Sequence, residues 1–526
     1  MCGIICVVSR PSARPLPLAA DILDALDRAI AAGTAGNIAE SGRLVAEADA
    51  SLRGESGLGT LIDNIALVSG LVSRVDQLDV LASGAEAQLE SESGLSTREV
   101  ERRSNELIAL RDATWSLRND RLRTAKAVGE LAGKDASASA RNAYLSIQQA
   151  FSALDRMEVR GRDSAGVHVL VWGHGLDATD KRVAPLLAGR LDDTLFTNGS
   201  VRVGAGSRAW SFVYKAAAEI GELGDNTRAM RTTVSNDALL RLLISQPNAR
   251  VSILGHTRWA SVGIISEPNA HPVNSEEVGG NAAAPYMLAA LNGDVDNHAD
   301  IKVRNGLHIA EPITTDAKVI PTVVARKNAA GMPFIDAFRE TVAEFEGSVA
   351  IAVASADEPN SMMLALRGSG QGLYVGIAED RFIVASEPYG VVEETLHYVR
   401  MDGESLADAN NPSSRGQVIA LDGDNAGSLA GMRMLAYDGT SIPLVDSTVS
   451  IAEVTTRDID RGEHKHFLSK EIAEAPLSFR KTLRGKISER NGQLEATLDT
   501  TVLPDDIRAK LTAGTFTRIR VIGQGT

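Results

Sequence analysis

From about Leu18 to Phe151 apolar positions return at spacings of three and four. Leu61, Ile65, Val68, Val72, Val75 and Leu78 form one such run. Leu107, Leu110, Thr114, Leu117, Arg121 and Val128 form a second, near-heptad run with polar members. That spacing is the period of one helix face, so both runs predict helices. Between them SESGLSTREVE predicts a turn, with Ser or Thr capping the helix that follows. The block contains no Pro, His or Cys and is rich in Ala, Leu, Ser, Glu and Arg, so it carries almost no catalytic side chains. It reads as an all-α helical hairpin or bundle packed on the body of the protein, or else as a partner-binding or oligomerising arm.

From about Asp163 the pattern changes to short β-branched runs separated by Gly, Asn and Asp: SAGVHVLVWG, RVSILGHTRW, MLAALNGDV, GSVAIAVAS and GLYVGIAEDRFIVAS. Helical stretches, TTDAKVIPTVVARKNAA and PFIDAFRETVAEFEG, are inserted in blocks, which predicts a layered α+β architecture in place of regular βαβ alternation. Beyond about Asp446 the chain becomes linker-like. It then passes through an amphipathic segment, EHKHFLSKEIAEAPLSFRKTLRGKI, and finishes on a strand-like RIRVIGQGT. A strand and Gly turn normally lead into a helix, so these residues are expected to be the front portion of a longer protein, or the remainder to be supplied elsewhere.

Composition narrows the class. A chain of 526 residues predicts roughly three or four compact units. Its two cysteines exclude a disulfide framework and suit a reducing compartment. The N-terminus lacks the basic flank and apolar run of an export signal, and no stretch approaches the roughly 18 continuous apolar residues of a membrane span, so a cytoplasmic protein with no membrane partner is expected. A formal net charge of −14 argues against nucleic acid as a partner. The nine histidines are scattered and none has zinc-site spacing, so no structural metal and no cofactor is expected. His464 and His466 are close together but read as loop surface.

The chain opens MCGIIC. Removing Met1 before a small residue would leave Cys2 with a thiol and a free α-amine, a nucleophile with a base beside it. The plain alternative makes Cys2 and Cys6 small hydrophobes flanking a buried strand from Ile4 to Val8. A cysteine nucleophile needs an oxyanion hole and groups that grip the far end of the substrate. LNGDVDNH offers the Asn292 side chain and the Gly293 N–H at a strand end. GHTRWAS offers Arg258 for a two-pronged hold on a carboxylate, and TTDAKVI offers Asp316 for an ammonium group. Singly, each of these also reads as a turn, an ion pair or a cap.

In order along the chain, CGII, LDRMEVRGRDSAG, GHTRWASVGIISEPNAHPV, LNGDVDNH and TTDAKVI resemble the glutaminase domain of the glutamine:fructose-6-phosphate aminotransferases. These are class II glutamine amidotransferases with the four-layer αββα N-terminal nucleophile hydrolase fold. HFLSKEIAEAP is similar to the segment joining that domain to the family's sugar-phosphate isomerase (SIS) half, and RIRVIGQGT to that half's first strand. The expected organisation is a glutaminase domain over 2–17 and 146–450, a helical insertion over 18–145, a linker over 451–516 and a truncated SIS strand over 517–526. AADILDALDRAI and SIQQAFSALDRME read as the two ends of a family helix that the insertion interrupts.

Carried over residue by residue, the resemblance implies that Cys2 is nucleophile and, through its amine, general base. Asn292 and Gly293 would form the oxyanion hole, Arg258 would bind the α-carboxylate of L-glutamine, and Asp316 its α-amine. Ser261 stands where the family usually has Thr. Trp259 matches the residue that gates ammonia passage, and Arg160 and Gly161 match the segment beside the nucleophile. Val262 replaces a family histidine and Arg162 a tyrosine. Glutamine would be hydrolysed to glutamate through a thioester, with ammonia passing to a sugar phosphate in the missing SIS half, and a homo-oligomer is the expected assembly. The alternative from another class is a catalytically silent scaffold whose helical insertion mediates assembly or docking.

Overall fold

The structure, a computed structural model, describes residues 2–92, 95–133, 136–204, 209–217, 222–280, 284–483, 486–490, 492–496, 500 and 503–522. Two compact units emerge: Met1–Leu23, Ala48–Val72 and Trp115–Ile459 form one, and Asp24–Glu47, Ser73–Thr114 and Asp460–Thr526 the other.

The first unit is built on two antiparallel sheets. Gly3–Ser9, buried at every position, lies in the middle of a nine-stranded sheet between Arg250–Arg258 and Arg381–Ala385. Ser164–Trp172 and Trp210–Ala216 extend it beyond Arg250–Arg258. The seven-stranded sheet centres on Met287–Gly293, Val349–Ser355, Ser361–Arg367 and Gln417–Asp422. Strand periodicity of two explains how they stack. Ile4, Cys6, Val8, Leu254 and Leu170 of one sheet share a core with Leu288, Ala290, Ala350, Ala352 and Leu364 of the other. The small alanines allow close sheet-on-sheet packing.

The alternate residues face outwards and are covered by helices. Met287, Ala289, Leu291, Ile351 and Val353 pack with Ile320, Val323 and Val324 of the helix Val319–Ala329 and with Phe334, Ala337 and Phe338 of Phe334–Ala343. The helix Ala138–Met157 covers the nine-stranded sheet, where a Cβ on Gly255 would touch both Ile5 and Leu154. Helix, sheet, sheet, helix is the four-layer α+β arrangement that the resemblance implies.

Residues 19–157 are helical almost throughout: Ala19–Thr34, Ile38–Ser51, Gly54–Leu61, Ile65–Ser91, Thr97–Trp115, a π-helical turn Ser116–Leu122, Arg123–Ala132 and Ala138–Met157. Ser96 accepts from the Glu99 N–H and starts one of these helices, within the predicted turn; Ser93 and Gly94 of that turn lie outside the described residues. The second periodic run is buried at Leu107, Leu110, Thr114, Leu117, Arg121 and Val128, polar members included. The first run needs correction. Its members Leu61, Val75 and Leu78 are buried, but Ile65 and Val72 are exposed and Leu67 and Leu71 are buried instead. Asp63, at φ +64°, breaks the chain direction and Asn64 caps a fresh helix through the Leu67 N–H at 3.0 Å. IALVSGLV is apolar on more than one side, so spacing alone fits two faces.

In the second unit Leu26, Leu44, Val45, Val75, Leu78, Leu107 and Leu110 are buried. Arg74–Asp27 and Arg111–Glu86 pair there at 2.7 Å each. The amphipathic segment becomes the helix Phe467–Leu483, followed by a hairpin of Ile487–Arg490 with Gln493–Ala496 and a helix Asp505–Thr512. Of the expected terminal strand, Arg518–Ile522 pair with no strand among the described residues and Ile519, Val521 and Ile522 are exposed; Gly523–Thr526 lie outside the described residues. Among the described residues no single helix is long and apolar enough to cross a membrane.

Inside the first unit lies a buried ionic network. Arg121, on the π-helical turn, donates from Nη1 to Glu394 at 2.9 Å and from Nη2 to the Glu393 carbonyl, and its Nε lies 3.2 Å from Asp49. Asp49 also takes Arg53 at 2.7 Å and the Ser116 hydroxyl at 2.7 Å. Glu393 takes Arg156 at 2.5 Å and Thr124 at 2.7 Å. The acids therefore tie the helical segment to the loop after Arg381–Ala385.

Candidate active site

Strand register sets the site. Gly3 pairs with Thr257, so one residue further Cys2 faces Arg258. The Trp259 N–H donates to Cys2 Sγ at 3.2 Å, and Sγ lies 3.5 Å from the Trp259 carbonyl. Burial pushes the Cys2 thiol above its ordinary value; the Trp259 N–H and the nearby Arg258 charge pull it back, and Asp294 pushes it further up. Cys6 points into the core between the sheets, and burial pushes its thiol far up, leaving it inert. Gly161 runs against the same strand end. A Cβ there would stand 2.7 Å from the Arg258 carbonyl carbon, which explains the glycine.

Arg258 is buried and spends its fork on its own loop, donating from Nη1 to Ile264 O at 3.2 Å and from Nη2 to Val262 O. Burial pulls its guanidinium down, and the neighbouring Cys2, Asp316 and Asp163 push it back up. The backbone of Val262, not its side chain, is thus what meets Arg258. Asp316 is buried, accepts the Val295 N–H at 2.8 Å, and has its carboxyl pushed up chiefly by burial, with Asp294 adding to the effect. Ser261 donates to Asp294 at 2.5 Å, and Trp259 stands 58% exposed at the rim.

Asn292 comes from the facing sheet, at the end of Met287–Gly293. Its Oδ1 accepts from His256 Nε2 at 3.1 Å and its Nδ2 donates to Ser386 Oγ at 2.7 Å. Gly293 has φ +83°, and a Cβ on it would fall 1.9 Å from the Ser348 carbonyl oxygen, so no other residue fits. Arg160 turns to Tyr389, donating from Nε at 2.8 Å, and pairs with Glu387. The exposed Arg162 contributes its carbonyl to Asn226 at 3.0 Å.

The structure thus gathers Cys2, Arg258, Trp259, Asp316, Ser261, Asn292, Gly293 and Gly161 around one strand end, with Arg160 engaged by Glu387 and Tyr389. Sequence reasoning missed four residues here. Asp163 holds the Ala260 N–H at 2.8 Å, and Asp294, which takes the Ser261 hydroxyl, pushes the Cys2 thiol up by its charge. Both lie inside motifs already singled out, RGRDSAG and LNGDVDNH, which was a usable signal. His256 also sits inside such a motif, whereas nothing in ASEPYG marks Ser386. Among the described residues no cluster of three or more His, Cys, Asp or Glu could hold a metal.

Replacing Asp294 with Asn removes a negative charge near the thiol. The pH midpoint of Cys2 alkylation by iodoacetamide is expected to fall, since the thiolate forms more easily; a midpoint that stays or rises contradicts the proximity of these two groups.

No family model matches the chain. Curated relatives do. Over 289 residues it is 26% identical to glutamine-fructose-6-phosphate aminotransferase (isomerizing) of Bacillus cereus strain ATCC 14579, covering 55% of this chain and 43% of that protein. The protein of the same name from Bacillus subtilis strain 168 is 29% identical over 276 residues, 52% of this chain and 39% of the relative. A third, from Geobacillus kaustophilus, is 29% identical over 257 residues, 49% and 37% respectively. The chain is homologous to these aminotransferases, and it spans less than half the length of each. Among solved structures, a glutamine phosphoribosylpyrophosphate amidotransferase from B. subtilis matches with a TM-score of 0.34 at 17% identity, over 56% of this chain and 47% of that one.

Proposed function

We propose that this homologue of the glutamine-fructose-6-phosphate aminotransferases is a glutamine amidotransferase that hydrolyses L-glutamine through a Cys2 thioester. The observation that carries the reading is the meeting of Cys2 with the Arg258–Trp259 backbone, 257 residues away in sequence and 3.2 Å away in space. On this reading removal of Met1 exposes the Cys2 α-amine. The amine takes the thiol proton as Sγ attacks the side-chain amide carbon of glutamine, and the C=O π pair moves onto oxygen. Asn292 Nδ2 and the Gly293 N–H stabilise that oxyanion. The amine then returns the proton to nitrogen, ammonia leaves, and water cleaves the thioester to glutamate and free thiol. Arg258 holds the α-carboxylate once Val262 and Ile264 release it, Asp316 holds the α-ammonium, and Ser261 and Trp259 close the rim. Ammonia then passes to a sugar phosphate bound by a SIS-type half, a step supported by the relatives' names.

The test is glutamate release by protein whose mass establishes the loss of Met1, together with labelling by a glutamine-mimicking electrophile. Hydrolysis and labelling confined to Cys2 are expected. A trimmed, folded protein that leaves glutamine intact, with or without a SIS half, sinks the reading and returns the chain to the scaffold class. Asn292→Ala should lower kcat by on the order of 10²–10³ while KM for glutamine changes little, the pattern of a lost transition-state donor. Steady-state kinetics check it, and a raised KM at unchanged kcat contradicts it.

A further inference from the structure

Asn292 can serve an oxyanion only if its carboxamide is aimed, and the structure holds that group from both sides. His256 is fully buried, and burial pulls its imidazole down to about 3, so the ring is neutral. Its Nε2 faces Asn292 Oδ1 at 3.1 Å, and since an amide oxygen only accepts, the imidazole donates there. The ring centroid lies 4.6 Å from that of His271, with the two planes tilted by 37°, and His271 in turn contacts Thr315 Oγ1 at 2.9 Å.

On the far side Ser386 continues the pairing of Arg381–Ala385 with Gly3–Ser9. Its N–H donates to the Ile4 carbonyl at 3.1 Å, and its Oγ accepts the Ile4 N–H at 2.7 Å. The same Oγ accepts from Asn292 Nδ2 at 2.7 Å. One hydroxyl therefore ties the backbone two residues from Cys2, in the nine-stranded sheet, to the amide that comes from the seven-stranded sheet. Asn292 Nδ2 carries two hydrogens, and with one committed to Ser386 the direction of the other is set.

We propose that Ser386 and His256 are positioning residues that clamp the Asn292 carboxamide, with Ser386 fixing its place relative to the Cys2 strand. Neither contacts substrate. The inference rests on the glutaminase reading and deepens it: preorganised donors stabilise developing charge without reorganisation at the moment of reaction.

The experiment is a double-mutant cycle in the trimmed protein. Ser386→Ala should lower kcat for glutamine by about 10- to 100-fold, the scale of a misplacement near 1 Å, with KM nearly unchanged. Iodoacetamide alkylation of Cys2, which needs no oxyanion hole, should proceed at the unaltered rate. Ser386→Thr, which keeps the hydroxyl, should recover most of kcat. In an Asn292→Ala background the added Ser386→Ala should have no further effect, because its role passes through Asn292. Fully multiplicative losses, or an equal fall in alkylation, overturn the proposal. Should Ser386→Ala fail to fold, His256→Gln, which keeps a donor near Nε2, against His256→Leu makes the same comparison from the other side, and equal kcat in that pair overturns it. An unaltered protein without glutaminase activity defeats the functional reading itself, whereas additive losses in an active enzyme defeat only the clamp.

Discussion

Replacing Cys2 with Ala is expected to abolish glutamine hydrolysis, with a fall on the order of 10⁶-fold, the scale on which an enzyme loses its nucleophile. Neither the second cysteine nor the rim serine is placed to take over. Cys6 is fully buried in the intersheet core, and the hydroxyl of Ser261 is already given to Asp294. The fold should survive, because Cys2 is half-buried ahead of the first strand while Gly3–Ser9 supplies the core residues. The substitution removes one sulfur and its contact with the Trp259 N–H, without touching the strand's core residues. The measurement is glutamate release beside a thermal melt. Retained turnover in a folded Cys2→Ala protein would remove the thioester from the mechanism. Loss of both activity and fold would instead make Cys2 a structural residue.

Arg121→Ala is expected to cost about 3–5 kcal/mol of stability, because it strands buried carboxylates without their cation. Arg121 lies within 3.2 Å of Asp49 and 2.9 Å of Glu394, and all three are buried. Burial alone would push the Asp49 carboxyl up; Arg53 and Arg121 beside it hold it below its usual value. A depressed carboxylate contributes stability that is present above its unfolded pKa, about 4, and lost as pH falls through the folded value. The gap between the unaltered protein and Arg121→Ala should therefore be widest near neutrality and narrow as acid protonates Asp49, which happens at higher pH in the variant because burial acts there without the Arg121 charge. Urea unfolding at several pH values checks both the size and the trend. A loss under about 1 kcal/mol at pH 7 would mean that water already screens the network.

How much of this was legible in the chain depended on the range of the signal. Alternation and β-branching marked Ser164–Trp172, Arg250–Arg258, Met287–Gly293 and Val349–Ser355, and turn residues marked their ends. Asp225–Asn236 and Ala238–Ile244 went unread, as did Ser361–Arg367, Gln417–Asp422 and Met432–Ala436, whose short runs resemble loop or helix equally well. The near-heptad spacing correctly included Arg121 on a buried face, but Glu393 and Glu394 stand more than 270 positions away and Asp49 lies on a separate helix, so local pattern cannot supply its acids. The same limit hid Ser386, which matters only because strand pairing carries it to Ile4. The terminal β-branched run carries strand propensity, which is realised only where a partner strand pairs with it.

Arg258 gives Val262 and Ile264 the two prongs that a substrate carboxylate would take. On the proposed reading the resting enzyme thus harbours a rival for its own ligand, covalently attached and never diluted. Measured affinity equals the intrinsic affinity scaled by the fraction of molecules in which the rival has let go. A loop released one-hundredth of the time would weaken glutamine binding about 100-fold without altering a single contact in the occupied site. Sequence changes confined to residues 262–264 would then tune the substrate concentration at which the enzyme responds, while the chemistry at the sulfur stays as it is.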